Sequence, residues 1–218
     1  MKYLLITLIF LSGFIYSQDD KFNKAMSRYV VLIDSMGSYT FDKRVEIKNA
    51  VDRIAGSEKE RWLAQYYGAL FNIVCGFTDT TREKTDAFLD IADEYLKNAE
   101  NLKSQESEIV TLQAYSALAR MVVNPFSRWQ AYGTLFNKKV EEALELNPKN
   151  PRALALKGVS LYNMPEPMGG SKAKGLVIIQ EAYDNFLVEK PESDLHPNWG
   201  ISMLNQYLKF LNENKEEK

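Results

Sequence analysis

A proline-rich junction between two amphipathic segments constrains the fold of this chain more than any other feature. Residues Val140–Leu161 read VEEALELNPKNPRALALKGVSL. Proline fits the first position of a helix but not its interior, because its ring fixes φ and removes the N–H donor. The stretch therefore predicts one helix that ends before Pro148 and a second that begins at Pro151. Ala143 and Gly158 are small residues at which the two helices can approach closely.

The same helical period recurs along most of the chain. Apolar side chains return every three or four residues, which is the spacing of an amphipathic helix. Ser57 followed by Glu60 matches a capping box, and no segment alternates with the period of a strand over more than a few residues. The sequence therefore predicts an all-α protein. The predicted helices span residues 22–36, 41–54, 58–74, 83–102, 105–123, 127–146, 151–163, 171–189 and 198–212.

The junction resembles the helix-turn-helix of a tetratricopeptide repeat (TPR). Such a repeat holds two antiparallel helices in about 34 residues, with small residues at the helix crossing and a proline after the second helix. Gly158, Gly175 and Pro191 keep this register, so the resemblance is strong over 140–191 and weaker over 58–148. It implies a short TPR-like α-solenoid of antiparallel helix pairs. The implied division is capping helices in 18–56, three helix pairs in 57–191 and a covering terminal helix in 192–214.

An α-solenoid of this kind implies binding rather than chemistry. TPR solenoids bind ligands on the concave surface formed by the first helix of each pair, and a mixture of aromatic, polar and arginine side chains is typical of a recognition surface. We therefore expect a protein or an extended peptide as the partner. The alternative is that the aromatic members of this set only pack against the capping or terminal helices. The predicted groove residues are Trp62, Gln65, Asn72, Arg152, Tyr162 and Asn163.

A long turn before the eighth predicted helix is a second candidate site. Gly169 and Gly170 permit close backbone approach, Ser171 is a typical N-cap residue, and Lys172 adds a positive charge. Exposed N–H groups at such a helix start can hold an anion or a carboxylate. The spacing is not that of a P-loop, and the simpler interpretation is a helix start that packs a long turn against its neighbour.

The first residues are typical of a secretory signal peptide. Lys2 precedes an apolar run that closes at Ser17, and two acidic residues follow. The run is too short for a comfortable membrane span of roughly 20 apolar residues. We expect cleavage after Ser17 and export to the periplasm or the medium, with an uncleaved anchor as the alternative. No cysteine lies nearby, which argues against a lipoprotein, and no later stretch is long enough to span a membrane.

Charge and residue usage argue against several classes of function. The chain carries 27 basic and 29 acidic residues without a basic stripe, which gives nucleic-acid binding little support. Cys75 and His196 are the only cysteine and histidine, too few for a histidine- or cysteine-based metal site, so we expect no metal and no cofactor. Acidic pairs such as Glu141 and Glu142 are typical of a solvated helix face. We expect no enzymatic activity.

A small-molecule carrier is the alternative function. The Pro-rich turn with two glycines is similar to one found in short secreted bacterial TPR-like proteins, one group of which serves periplasmic uptake systems. This alternative predicts an apolar pocket between helices with a few convergent polar groups. An enzyme would instead need ionisable residues clustered in a cleft.

Overall fold

The computed structural model describes residues 21–208 and 210, and every regular element in that part of the chain is helical. The signal peptide predicted at 1–17 lies outside the described residues. None of the described helices combines the length and apolarity needed to cross a bilayer. The helices are α1 (21–30), α2 (Phe41–Ser57), α3 (Trp62–Phe77), α4 (Thr85–Leu102), α5 (Ser107–Val123), α6 (Pro125–Arg128), α7 (Thr134–Leu146), α8 (Pro151–Asn163) and α9 (Lys172–Val188).

The junction that dominates the sequence folds as its prolines predict. Pro151 is the first residue of α8, and the Asn150 side chain caps the helix by accepting hydrogen bonds from the N–H groups of Arg152 and Ala153, both at 3.0 Å. These bonds satisfy donors that have no partner inside the helix. On the other side of the turn, α7 ends at Leu146, two residues before Pro148.

The helices pack as antiparallel pairs, which confirms the predicted all-α class. The pairs are α3 with α4, α5 with α7, and α8 with α9. Glycines permit the closest of these contacts: a Cβ on Gly158 would lie 2.9 Å from the backbone nitrogen of Ile179, and one on Gly175 would lie 2.7 Å from that of Tyr162. The assignment of these pairs to the TPR family stays a prediction.

Helix α3 forms the centre of the core. Tyr66, Tyr67, Leu70 and Phe71 are all fully buried within it, and α1 packs its apolar face into the same cluster. Cys75 also lies in this core, where burial raises the pKa of its thiol to about 12. The cysteine therefore behaves as a small apolar side chain.

Several predicted helices differ from the observed ones. The helix predicted at 58–74 begins at Trp62, and the predicted capping box is wrong, because Ser57 ends α2 and does not cap α3. The first predicted helix is also shorter, because α1 stops at residue 30 and a 3₁₀ helix, Ile33–Ser38, follows it. The predicted helix 127–146 contains a π-helical turn, Trp129–Gly133, between α6 and α7. At the C-terminus, residues 189–200 carry no regular helix, and the chain resumes with a 3₁₀ turn at Ile201–Leu204. The reason lies at Gly200, whose φ of +106° ends the irregular segment in a left-handed conformation.

Candidate functional site

The faces of α3 and α5 that carry three tyrosines are covered by a later segment of the chain. Residues 192–200, here called the strap, lie against these helices and bury the side chains of Leu195 and Trp199. The Tyr67 hydroxyl donates a hydrogen bond to the carbonyl of Leu195 at 2.9 Å, and the indole N–H of Trp199 donates to the Tyr66 hydroxyl at 2.7 Å. Tyr115 of α5 stacks on Trp199 with the ring centroids 5.9 Å apart. The strap therefore covers the surface of α3 and α5 that these tyrosines would otherwise expose.

A buried ionic network lies close to the strap. Arg152 is fully buried, and its Nε donates to Glu108 at 2.7 Å while Nη1 donates to Glu189 at 3.0 Å. Burial alone lowers the pKa of this guanidinium, but the carboxylates of Glu108 and Glu189 outweigh it and the net pKa is raised. The Tyr66 hydroxyl donates to Glu108 at 3.1 Å, and burial, followed by the Glu108 charge, raises the pKa of Tyr66. The network joins α5, α8 and the end of α9 through fixed charges.

Half of the predicted groove residues are enclosed by the protein. Besides Arg152, Gln65 is 1% exposed and donates to the Ala55 carbonyl at 2.9 Å, while Asn72 is fully buried and donates to Asp52 at 2.8 Å. Side chains so enclosed offer no surface to a partner in this conformation.

The other half of the predicted groove lies nearer the surface, at two separate places. Trp62, at the start of α3, is partly buried beneath the ammonium group of Lys103, 4.2 Å from its ring. Tyr162 and Asn163 lie at the end of α8, where the Asn163 amide donates to the Tyr207 hydroxyl at 2.7 Å. Whether this set binds a partner stays a prediction.

The glycine turn before α9 uses its N–H groups internally. The N–H groups of Gly169, Gly170 and Ser171 donate to backbone carbonyls at 2.9, 3.1 and 2.9 Å. The Ser171 hydroxyl caps α9 by accepting from Lys174 at 3.3 Å, and the Lys172 ammonium lies 5.9 Å from the ring centroid of Tyr162. These contacts explain the turn as a helix start, and its anion-binding role stays a prediction.

Two clefts lie beside α4, one on each of its flanks. The first, the α4–α7 cleft, has a volume of about 520 Å³ and is formed by α4, α5, the π-helical turn and α7. The second, the α2–α4 cleft, has a volume of about 560 Å³ and lies between the end of α2, α3 and α4. Both volumes lie within the roughly 300–1,000 Å³ typical of small-molecule sites. The two clefts differ in what lines them.

The α4–α7 cleft has an apolar and aromatic wall. Leu96, Ala117, Tyr132 and Leu135 line it, and Leu135 is 40% exposed. Tyr132 belongs to the π-helical turn, and such turns occur frequently at functional sites. Trp129, one turn earlier, is also 40% exposed.

The glycine of the π-helical turn permits close packing at this corner. A Cβ on Gly133 would lie 3.3 Å from the Trp129 ring and 3.4 Å from the Met121 sulfur. Phe126, at the neighbouring corner in α6, is 99% exposed. Phe126 and Trp129 therefore leave aromatic surface exposed beside this end of the cleft.

Charged side chains line the rest of this cleft. Arg120 of α5 donates to Asp90 at 2.8 Å and to Asp93 at 2.7 Å. Arg128 forms a two-bonded pair with Asp86, with both distances 2.7 Å. This bonding lowers the pKa of the Asp86 carboxyl and outweighs burial, which acts in the opposite direction. The aromatic end is therefore also the end at which the arginine and aspartate side chains form ion pairs.

The α2–α4 cleft is richer in amides and has one aromatic side chain. Asn98 and Asn101 contribute polar groups, Tyr95 and Leu102 contribute apolar surface, and the enclosed Gln65 lies behind them. Tyr95 packs its ring against Gly68, 3.0 Å from where a Cβ would stand. Each cleft thus has one tyrosine in its lining, Tyr132 in the α4–α7 cleft and Tyr95 in the α2–α4 cleft, and they differ in the exposed Trp129 beside the first.

Comparison with known proteins gives an informative match among solved structures. No protein-family model and no curated protein sequence matches the chain. Among solved structures, the HusA haemophore from Porphyromonas gingivalis matches with a TM-score of 0.75 and 32% sequence identity, over 86% of this chain and 90% of that one. The chain belongs to the HusA haemophore family. A haemophore is a binding protein. This agrees with the binding function that the sequence predicts and with the expectation that the protein is not an enzyme.

Sequence reasoning did not single out the cleft that the structure shows. In the sequence, Asp90 and Asp93 are typical of a solvated helix face, and Asn124-Pro125 is typical of a helix stop. The available indication was the aromatic series Phe126, Trp129 and Tyr132 directly after that stop. It follows no single helical face, because the π-helical turn changes the period there.

Proposed function

We propose that this protein is an exported carrier that binds a tetrapyrrole such as haem in the α4–α7 cleft. The observation that carries the proposal is the similarity to a haemophore along nine tenths of that protein's chain. This similarity favours the small-molecule carrier. The sequence also suggested a peptide-binding module, which the similarity does not favour. The strap, which covers one face of α3 and α5, also argues against an open peptide groove there.

The chemistry of the cleft suits a flat, largely apolar ligand. Tyr132 and Leu135 line one wall of the cleft, and Leu96 and Ala117 line the others. Aromatic rings pack well against extended π-systems in offset or edge-to-face geometry. A tetrapyrrole is such a ligand, and the exposed Trp129 beside the cleft adds further aromatic surface.

Histidine does not ligate iron at this cleft. The chain has one histidine, His196, and it lies in the strap. Tyr115 of α5 stacks under the strap, whereas Gln113 and Ala117 of the same helix line the cleft, so strap and cleft lie on opposite sides of α5. Affinity at the cleft would therefore come from apolar and aromatic contact.

Absorbance titration of the purified protein with haem tests the proposal. We expect a saturable change in the Soret band, and about a tenfold or larger loss of affinity, or 1.4 kcal/mol, in Tyr132→Ala and Leu135→Ala. The matched control is Leu102→Ala in the α2–α4 cleft, because Leu102 and Leu135 are 39% and 40% exposed. No saturable change with the parent protein would overturn the function. Loss of binding in the control alone would move the site to the other cleft.

A further inference from the structure

We propose that Lys97 and Lys139 form a cationic edge of the α4–α7 cleft that binds the carboxylate groups of the ligand and fixes its orientation. This inference rests on the proposed function, and it concerns which chemical groups of the ligand are recognised. Both lysines line the cleft. Natural tetrapyrroles such as haem carry two carboxylates on one edge of the ring and apolar substituents on the opposite edge.

The directions of the three helices give the cleft two different ends. Helix α5 runs antiparallel to α4, so its residue Arg120 pairs with Asp90 at one end, and Gln113 donates to Glu100 at 3.3 Å at the other. Helix α7 returns from the Arg120 end, where the chain turns through residues 124–133. Tyr132 therefore lies at the Arg120 end.

Both lysines lie towards the opposite end of the cleft. Lys139 follows Tyr132 by seven residues, or about 10 Å along the helix at 1.5 Å per residue. Lys97 follows Asp90 by the same number of residues on α4. Since α4 and α7 run in the same direction on either side of α5, the two lysines end up on facing walls.

The Arg120 end is unsuited to an anion. Its arginines are already bonded to carboxylates: Arg120 contacts Asp86, Asp90 and Asp93 at 3.5, 2.8 and 2.7 Å, and Arg128 also binds Asp86. Three carboxylates face two guanidinium groups, which leaves a formal charge of −1. A ligand carboxylate placed there would meet like charge and would have to displace bonds that are already made.

The lysine end is available to an anion. Lys97 is exposed and makes no ion pair within 4 Å among the described residues. Lys139 pairs with Glu142 at 2.9 Å, and the two side chains are 20% and 37% exposed. A pair of this exposure contributes little, so Lys139 can turn to a ligand at small cost. Glu100 is the carboxylate that lines this end, and it already accepts the hydrogen bond from Gln113.

The two ends together predict one ligand orientation. The apolar edge of the ring lies against Tyr132 and Leu135, and the carboxylate edge reaches Lys97 and Lys139. Paired lysines bind carboxylates as point charges, and this attraction weakens as salt screens it. The lysines thus select for free carboxylates, whereas the apolar wall does not.

The test compares protoporphyrin with its dimethyl ester, which keeps the ring but lacks both charges. We expect the parent protein to bind the diacid about tenfold more tightly than the diester, as two exposed charge contacts allow. Lys97→Gln combined with Lys139→Gln should lose that preference while binding the diester as the parent does. Lys138→Gln, next to Lys139, and Lys59→Gln in the α2–α4 cleft are controls that should keep it.

The outcomes separate the two proposals. Equal affinity of the parent for diacid and diester, or an undiminished preference in the double variant, would overturn the lysine edge and leave a porphyrin-binding protein. Failure of the parent to bind either porphyrin would overturn the proposed function itself. Thermal unfolding of each variant confirms that the comparison is made between folded proteins.

Discussion

Replacing Arg152 by methionine distinguishes a structural role for this residue from the binding role suggested by the sequence. Methionine keeps most of the apolar stem but removes the charge that contacts Glu108 at 2.7 Å. Glu108 is itself 4% exposed, so its carboxylate would stay buried without its cation. Removing one partner of a buried ion pair costs about 3–5 kcal/mol.

The expected loss is large enough to measure without ambiguity. At about 2–4 °C per kcal/mol for a domain of this size, Arg152→Met should lower Tm by about 6–20 °C. Adding Glu108→Gln should recover part of the loss, because the unpaired charge is then gone. Lys43→Met is the control: it breaks the exposed Lys43–Glu46 pair and should cost under about 1 kcal/mol.

Urea unfolding followed by circular dichroism gives the free energies directly. A loss below about 1 kcal/mol in Arg152→Met would show that the pair does not hold α5 to α8, and the reasoning from burial would be refuted. Full stability combined with loss of a partner in a pull-down would support Arg152 as a groove residue instead.

Three further predictions concern pH, backbone space and the lone thiol. Asp86 has a lowered pKa because it bonds to Arg128, so its stabilisation is complete above its unfolded pKa of about 3.9 and is lost as pH falls through the folded pKa. The difference in Tm between the parent and Asp86→Asn should therefore be modest at pH 7 and should disappear below about pH 4. A difference that does not change with pH would contradict this. Gly170→Ala should destabilise by about 1–3 kcal/mol, since its Cβ would lie 1.8 Å from a carbonyl oxygen, whereas Gly37→Ala, with open space around it, should be neutral or better in the same thermal assay. Cys75, with a buried thiol of raised pKa, should react with a thiol reagent only as fast as the protein opens; rapid labelling of folded protein would show that α3 is exposed.

Local features of the fold could be predicted from the sequence because local physics determines them. The Asn150-Pro151 cap and the glycines at 158 and 175 act through neighbours in the chain or through one helix crossing. Helical period, capping and turn chemistry therefore gave the helix pairs. The π-helical turn at Trp129–Gly133 was not predictable in this way, because it changes the period on which such reasoning depends.

The candidate site was less predictable, because distant pairings decide which polar residues are buried. Gln65, Asn72 and Arg152 have the composition of a recognition surface, yet partners elsewhere in the chain enclose all three. Nothing in the sequence around Arg152 indicates that Glu108 lies beside it. Lys97 and Lys139 are ordinary surface lysines in the sequence, and only the directions of α4, α5 and α7 bring them to one end of a cleft.

The strap changes how such an array of helices comes apart. It ties Leu195 to Tyr67 across 128 positions, Trp199 to Tyr66 across 133, and Gly200 to Asp34 across 166. A linear stack of repeats can fray from either tip, since each unit contacts only its neighbours. Here residues 195–200 are hydrogen-bonded to residues 34–67. A protease should therefore meet either the intact molecule or a largely unfolded one, with few partly digested forms between them.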